Sequence, residues 1–401
     1  MLSGCVAFGA IPAAAANQPL TTPNAPPAAG CPDRQAPPPP VDTSERPAPG
    51  VQVPPPLPVP AEPIGGARMG ECGVIVPANA PNVPDGNTAA SWVLQDLDTG
   101  AVLAAKDPHA RERPASLIKT LLSLVVMEEL KPEQVIVPTK EDASQECTCV
   151  GIVEGGQYTV DQLLHGLLMH SGNDVAHAFA TALGGVDAAV SKMNVMAAKI
   201  GAMDTRAATP SGLDGPGMST SAYDLSVIFH YAMKQPAFAT ASSTKVFEFP
   251  AEPGKPAFSI FNDNKLLGTY AGYLGGKTGF TNDARHTYVA AATRDGRRIA
   301  VVMLRAEQRP TLVVNQASKL LDYGFGLEAA RAQPVGLINY APAATKANSA
   351  PAADAPTSTT AAKPTEDPFG TTGWIITLVV ALVVIAGFVI GHQRKKARMT
   401  A

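Results

Sequence analysis

Seventeen of the 38 prolines in this 401-residue chain fall between Pro19 and Pro63. Proline has no backbone donor and fixes its own φ, so such a stretch builds neither a helix nor an interior strand. Residues 17–84 therefore read as an extended, semi-rigid linker, and any packed core must lie beyond them. A second biased stretch, residues 331–372, is rich in Ala, Pro, Thr and Ser and reads as a disordered spacer. Between the two, residues 85–330 carry the sustained hydrophobic periodicity, with no internal repeat, and read as one domain. A hydrophobic content of 45% supplies a sizeable core and excludes a purely disordered chain. Only 16% of residues are charged and the net charge is −3. That balance lacks the basic surplus of nucleic-acid binders, so no nucleic-acid partner is expected.

Both ends carry targeting signals. Residues 1–16 are apolar and small and end in Ala13–Ala16 before Asn17. They resemble the apolar and cleavage parts of a secretory signal peptide, without its basic leading region. Leu2-Ser3-Gly4-Cys5 also fits a lipobox with Cys5 lipidated, although it precedes most of the apolar run instead of following it. Trp374–Gly391 is an uncharged run of 18 residues, which at about 1.5 Å per residue spans roughly 27 Å and reads as a transmembrane helix over 373–392. Arg394, Lys395, Lys396 and Arg398 follow it in a basic tail, 393–401, while Glu366 and Asp367 precede it. The positive-inside rule then places the tail in the cytoplasm and everything before Trp374 outside the cell membrane. Cysteine usage agrees, because loss of Cys5 with a signal leaves an even set of four for an oxidising compartment. A Cys31–Cys72 bridge would tie the proline-rich arm into a loop. Cys147 and Cys149 fit either a strained bridge or free thiols; a metal site lacks a histidine at ligand-like spacing.

Within the body, Trp92–Asp96 and Ala101–Ala105 read as strands around the turn Asp98-Thr99-Gly100. Ser116–Leu130 reads as a helix that is apolar nearly all round, hence central and buried, with Pro114 at its entrance. Thr159 and Gln162 form a capping-box pattern opening a helix through Met169. Further helices are expected at Val186–Ile200 and Ala222–Lys234. Thr287–Thr293 and Arg298–Leu304 read as strands joined at Asp295-Gly296, before a closing helix at Leu312–Tyr323. Strands at both ends with helices between them imply an α+β domain: one antiparallel sheet, its terminal segments paired, covered by helices.

Three short motifs bear chemistry. Ser116-Leu117-Ile118-Lys119 sets a hydroxyl and an amine one helical turn apart. The amine can take the hydroxyl proton if burial or a nearby cation lowers its pKa. Ser242-Ser243-Thr244-Lys245 shows the same spacing and reads as a solvated segment. Ser171-Gly172-Asn173, the chain's single Ser-x-Asn, offers a hydroxyl relay and an amide; by itself it reads first as a helix-capping turn. Lys277-Thr278-Gly279, also unique, can hold a carboxylate at a strand edge, where Gly279 permits close backbone approach; by itself it reads first as a turn with an exposed lysine.

Ser-x-x-Lys, Ser-x-Asn and Lys-Thr-Gly in this order resemble the penicillin-binding proteins and class A β-lactamases. With Arg113-Pro114-Ala115-Ser116, Leu168–Asp174, Thr209–Gly215 and Gly276–Gly279, residues 85–330 are similar to the low-molecular-weight, serine-type D-alanyl-D-alanine carboxypeptidases, mycobacterial members especially. The resemblance implies a β-lactamase/penicillin-binding-protein-like fold: an antiparallel sheet flanked by helices, with a helical subdomain. It implies Ser116 as nucleophile, Lys119 as base and Ser171 as proton relay. It gives Asn173 to Lys119 and the substrate amide, Lys277, Thr278 and Gly279 to the terminal carboxylate, and the backbone amides of Ser116 and Phe280 to the oxyanion. Peptidoglycan stem peptides would be substrates and β-lactams covalent inhibitors, with neither metal nor other cofactor. An arginine that completes carboxylate recognition in some relatives has only Arg305 and Arg309 as candidates. Two alternatives stand beside this reading. A β-lactamase would need a glutamate where the chain has Thr209–Asp214, and an inactive cell-wall binding or sensor module would not need the complete proton-transfer set.

Overall fold

Asp295 and Gly296 both adopt positive φ, 50° and 76°, the conformation a two-residue hairpin requires, and the strands they join form the middle of the sheet. The computed structural model describes residues 30–251 and 254–338, all within one compact unit, Met1–Ala344. The expected signal, residues 17–29 of the linker, the spacer from 339, the span at 373–392 and the basic tail lie outside the described residues. Among the described residues, no helix is long and apolar enough to cross a membrane.

In chain order, β1 (Val74–Ile75), β2 (Ser91–Asp96) and β3 (Ala101–Lys106) come first. A 3-10 turn, Ala115–Ile118, runs directly into α1 (Lys119–Glu129). The short strands β4 (Val135–Ile136) and β5 (Tyr158–Thr159) pair around α2 (Lys140–Ala143). Then follow α3 (Val160–Met169), α4 (Asn173–Ala182), α5 (Val186–Lys199), α6 (Ala222–Ala232) and α7 (Pro236–Ser243). A hairpin of β6 (Val246–Phe249) and β7 (Phe258–Phe261) precedes β8 (Tyr273–Thr281), β9 (Arg285–Arg294) and β10 (Arg297–Ala306). The helix α8 (Val313–Ala329) and the strand β11 (Gly336–Leu337) close the described chain.

The main sheet runs β1-β3-β2-β10-β9-β8, with β11 also on β3. Early β2 and late β10 pair antiparallel, Leu94 opposite Val301, so the two ends of the domain meet as the hydrophobic pattern implied. Alternation along these strands separates two cores. Val93, Val102, Ala300 and Val302 face the helical side, while Trp92, Leu94, Val301 and Met303 face α8 through Leu320 and Leu321. α1 is buried from Lys119 to Val126 and contacts α5 and α6, the central position its apolar circumference demanded. The Thr159–Gln162 capping box opens α3, with the side chain of each residue accepting from the other's backbone amide.

The departures from the sequence reading begin with Gly336–Leu337, inside the stretch expected to be a disordered spacer, which pair with β3 as β11. From Gly30 onward the proline-rich segment packs against the domain and is no free-standing linker. Cys31 and Cys72 are bridged, and the guanidinium of Arg111 donates to the carbonyls of Gln35, Leu57 and Pro58. Proline cannot donate, but its carbonyl still accepts, so an arm without secondary structure satisfies its backbone on buried arginines. In the repeated Ser-x-x-Lys pattern, Ser242 is buried at the end of α7, whereas Ser243 and Thr244 are half-buried and Lys245 is exposed, so the segment is solvated at its lysine end and not at its first serine.

Candidate active site

Ala115 has φ +47° immediately before Ser116, a conformation uncommon for a residue with a side chain. The turn that bears the nucleophile is enclosed by backbone on two sides. A Cβ on Gly279 would lie 2.8 Å from the Ser116 amide nitrogen, and one on Gly212 would lie 2.0 Å from the Ala115 carbonyl oxygen. Only glycine lets β8 and the 209–213 loop come so near. The Thr287 hydroxyl ties β9 to the same turn by donating to the Pro114 carbonyl at 2.9 Å.

Lys119, on the first turn of α1, is completely buried. Its Nζ lies 2.9 Å from Ser116 Oγ and 2.8 Å from Asn173 Oδ1, and also contacts the Ser211 carbonyl. Asn173 Oδ1 and the Ser211 carbonyl can only accept, whereas the serine hydroxyl can donate. In its neutral form the amine can give its two N–H groups to these acceptors and turn its lone pair to the Ser116 hydroxyl. Burial, followed by the charge of Lys277, pushes the Lys119 pKa well below its ordinary value, with Asp174 opposing. Lys277 is itself buried, and burial lowers it to about 8 against the pull of Asp263. Its ammonium donates to the Thr278 carbonyl at 2.7 Å.

Asn173 opens α4, and its Nδ2 donates to the Glu146 carbonyl at 2.7 Å. Asp174 accepts from the amides of Val150, Gly151 and Ile152, fastening the loop that carries the Cys147–Cys149 bridge. Ser171 stands between α3 and α4 with φ +62°. Ser116, Ser171, Asn173, Thr278, Gly279 and Phe280 all line one cleft of about 610 Å³, with Lys119 and Lys277 behind its wall. The three motifs, up to 161 residues apart in the chain, thus converge.

Arg305 is turned away from this cleft and paired with Asp33 and Glu112, and Arg309 does not line it; neither supplies the expected carboxylate-binding arginine. Sequence reasoning also missed the Ser211 carbonyl, a main-chain group with no side-chain signature, although the neighbouring Gly212 marks the turn that aims it. It missed Asp42 and Ser44 of the proline-rich arm, which reach the same cleft.

An alcohol beside a buried amine of lowered pKa, below a strand edge bearing a second cation, can open an amide next to a carboxylate through a covalent ester. Comparison with known proteins agrees. Residues 78–308, more than half of the chain, match the family described as D-alanyl-D-alanine carboxypeptidase. The D-alanyl-D-alanine carboxypeptidase DacB2 of Mycobacterium tuberculosis is 46% identical over 258 residues, which are 63% of this chain and 87% of the relative. DacF of Bacillus subtilis is 31% identical over 243 residues, 59% of this chain and 62% of the relative. A solved D-alanyl-D-alanine carboxypeptidase of M. tuberculosis superposes with a TM-score of 0.61 at 44% identity, covering 63% of this chain and 96% of that one. A Streptomyces K15 DD-transpeptidase variant gives 0.57 at 27%, over 61% of this chain and all of that one. The chain belongs to the D-alanyl-D-alanine carboxypeptidase family of serine peptidases.

Proposed function

We propose that this chain removes the terminal D-alanine of peptidoglycan stem peptides through an ester on Ser116. The supporting observation is the place of Lys119 Nζ, 2.9 Å from Ser116 Oγ and buried beside Lys277, which lowers its pKa and favours the neutral form that can accept the serine proton. Ser116 Oγ attacks the carbonyl of the penultimate D-alanine as its proton passes to Lys119 Nζ. The backbone amides of Ser116 and Phe280 receive the oxyanion. The C–N bond breaks, and the proton held by Lys119 reaches the departing amine by way of Ser171. Lys277 and Thr278 hold the terminal carboxylate, and Gly279 keeps the strand edge close. Water then attacks the ester, freeing the shortened stem and restoring the serine hydroxyl. A β-lactam acylates Ser116 by the same attack, but its leaving nitrogen stays tethered to the acyl group and hampers the water step. The charge-free run at 374–391 and the arginines and lysines after it support a C-terminal membrane anchor, and residues 1–16 support export, with the domain on the outer face.

The full chain in detergent should release D-alanine from a pentapeptide ending in D-Ala-D-Ala, and Ser116→Ala should release none. Labelled penicillin should leave a long-lived adduct on Ser116; rapid turnover of the drug would instead mark a β-lactamase.

A further inference from the structure

The cleft has one wall that the catalytic motifs do not build. The tip of the proline-rich arm, residues 38–45, is clamped at both ends by a single buried guanidinium. Arg113 donates to the Pro38 carbonyl and to the carboxylate of Glu45, and it lies three residues before Ser116. Between these clamps the Val41 amide and the Ser44 hydroxyl donate to Asp283, just past the end of β8. Asp42 accepts from the Ser44 amide at 2.8 Å. The arm is therefore fixed relative to the nucleophile, and Asp42 and Ser44 line its cleft. These residues lie before the family-matched segment, 78–308, so this wall is not part of the shared catalytic frame.

β8 sets the direction of the substrate, on the functional reading above. If Thr278 meets the terminal carboxylate and Phe280 the oxyanion, the residues preceding the two D-alanines extend toward Thr281 and Asn282, where the arm stands. We infer that the arm tip is a specificity wall, with Asp42 and Ser44 contacting the donor stem on the amino-terminal side of the scissile bond. It favours a stem whose residue before the D-alanine pair carries an amine-ended side chain over one ending in a carboxylate. The sign follows from the groups at that end: Asp42 lines the cleft, Asp214 stands on the arm's side, its carboxylate within 4.8 Å of those of Glu45 and Asp283, and accepts from Thr281, and the buried lysines sit at the opposite end.

The experiment compares D-alanine release by the full chain in detergent from Nα-acetyl-L-Lys-D-Ala-D-Ala, Nα-acetyl-L-Glu-D-Ala-D-Ala and N-acetyl-D-Ala-D-Ala. The wild type should favour the lysine peptide in kcat/KM by about three- to fivefold, the scale of an exposed charge pair, chiefly through KM. Asp42→Asn should reduce that preference and Asp42→Lys abolish or reverse it, while release from the dipeptide, which has no residue at that position, changes less than twofold. The exposure of Asp42 keeps these variants folded, and a thermal melt checks it. Equal scaling of all three peptides would reduce the arm to a structural brace and overturn the inference, as would a wild type indifferent to the side chain. A wild type that releases no D-alanine from any peptide would remove the functional reading and this inference with it.

Discussion

Lys119 and Lys277 at the catalytic centre are as deeply buried as Arg111 and Arg113 beneath the arm. Their surroundings differ in kind. The lysines have no carboxylate among their hydrogen-bond partners, only hydroxyl, amide and carbonyl oxygens. Asp174 and Asp263 offset burial only in part there, and both pKa values fall. Arg113 meets Glu45 in addition to a carbonyl; burial opposes its charge, but the carboxylate outweighs burial and raises its pKa. At Asp204, burial alone would raise the carboxyl, yet His109, Arg34 and Arg111 beside it hold it down at about 2. A buried cation with a carboxylate fastens one segment to another; a buried ammonium without one holds its proton less firmly, which lets Lys119 serve as a base.

The first way to break this contrast is to remove the base. Lys119→Ala should slow acylation of Ser116 by labelled penicillin on the order of 10⁴-fold, the upper range for a general base, with the fold retained by circular dichroism. Normal adduct formation would take that role from Lys119.

The second removes the fastening. Asp204→Asn leaves Arg34 and Arg111 buried without their shared carboxylate, at a cost of about 3 kcal/mol. The Asp204 carboxyl is held below its ordinary value, so its stabilisation is complete at neutral pH and is lost as pH falls through about 2. The melting temperature should drop at pH 7, and proteolysis should begin between Cys31 and Cys72. An unchanged melt would mean that the carbonyls alone hold the arm.

The same contrast explains what could be read from the sequence. The β2–β3 hairpin, the α3 capping box and the Asp295-Gly296 turn were legible because each is encoded by residues within four positions of one another. The reactive side chains were legible because Ser116, Lys119, Asn173 and Lys277 carry chemistry in their own names. The arm was not. Its prolines have no periodicity to reveal a packed face, and its partners are distant: Arg113 is 68 residues from Glu45, and Asp283 is 242 from Val41. Nor could Ser211 be found, since any residue offers a carbonyl and only the fold aims this one. Arg305 misled for a related reason, because Asp33, its arm partner, lay in a segment read as a linker.

The mildest test sharpens the contrast by replacing one kind of buried cation with the other. Lys277 titrates at about 8, so its positive charge is present below that pH and is lost above it. Recognition of the substrate carboxylate should follow, and kcat/KM for D-alanine release should decline about tenfold per pH unit above about 8. The acid limb runs the other way, since lowering the pH protonates Lys119 and removes the lone pair that faces Ser116. Lys277→Arg keeps its charge throughout this range. It should erase the alkaline limb and leave the acid limb in place, because a cation still stands beside Lys119. A larger, forked side chain in a fully packed position should also lower activity at pH 7 severalfold, but the diagnostic is the shape of the profile. An alkaline limb that survives in Lys277→Arg would assign that titration to another group and detach the low pKa of Lys277 from substrate recognition.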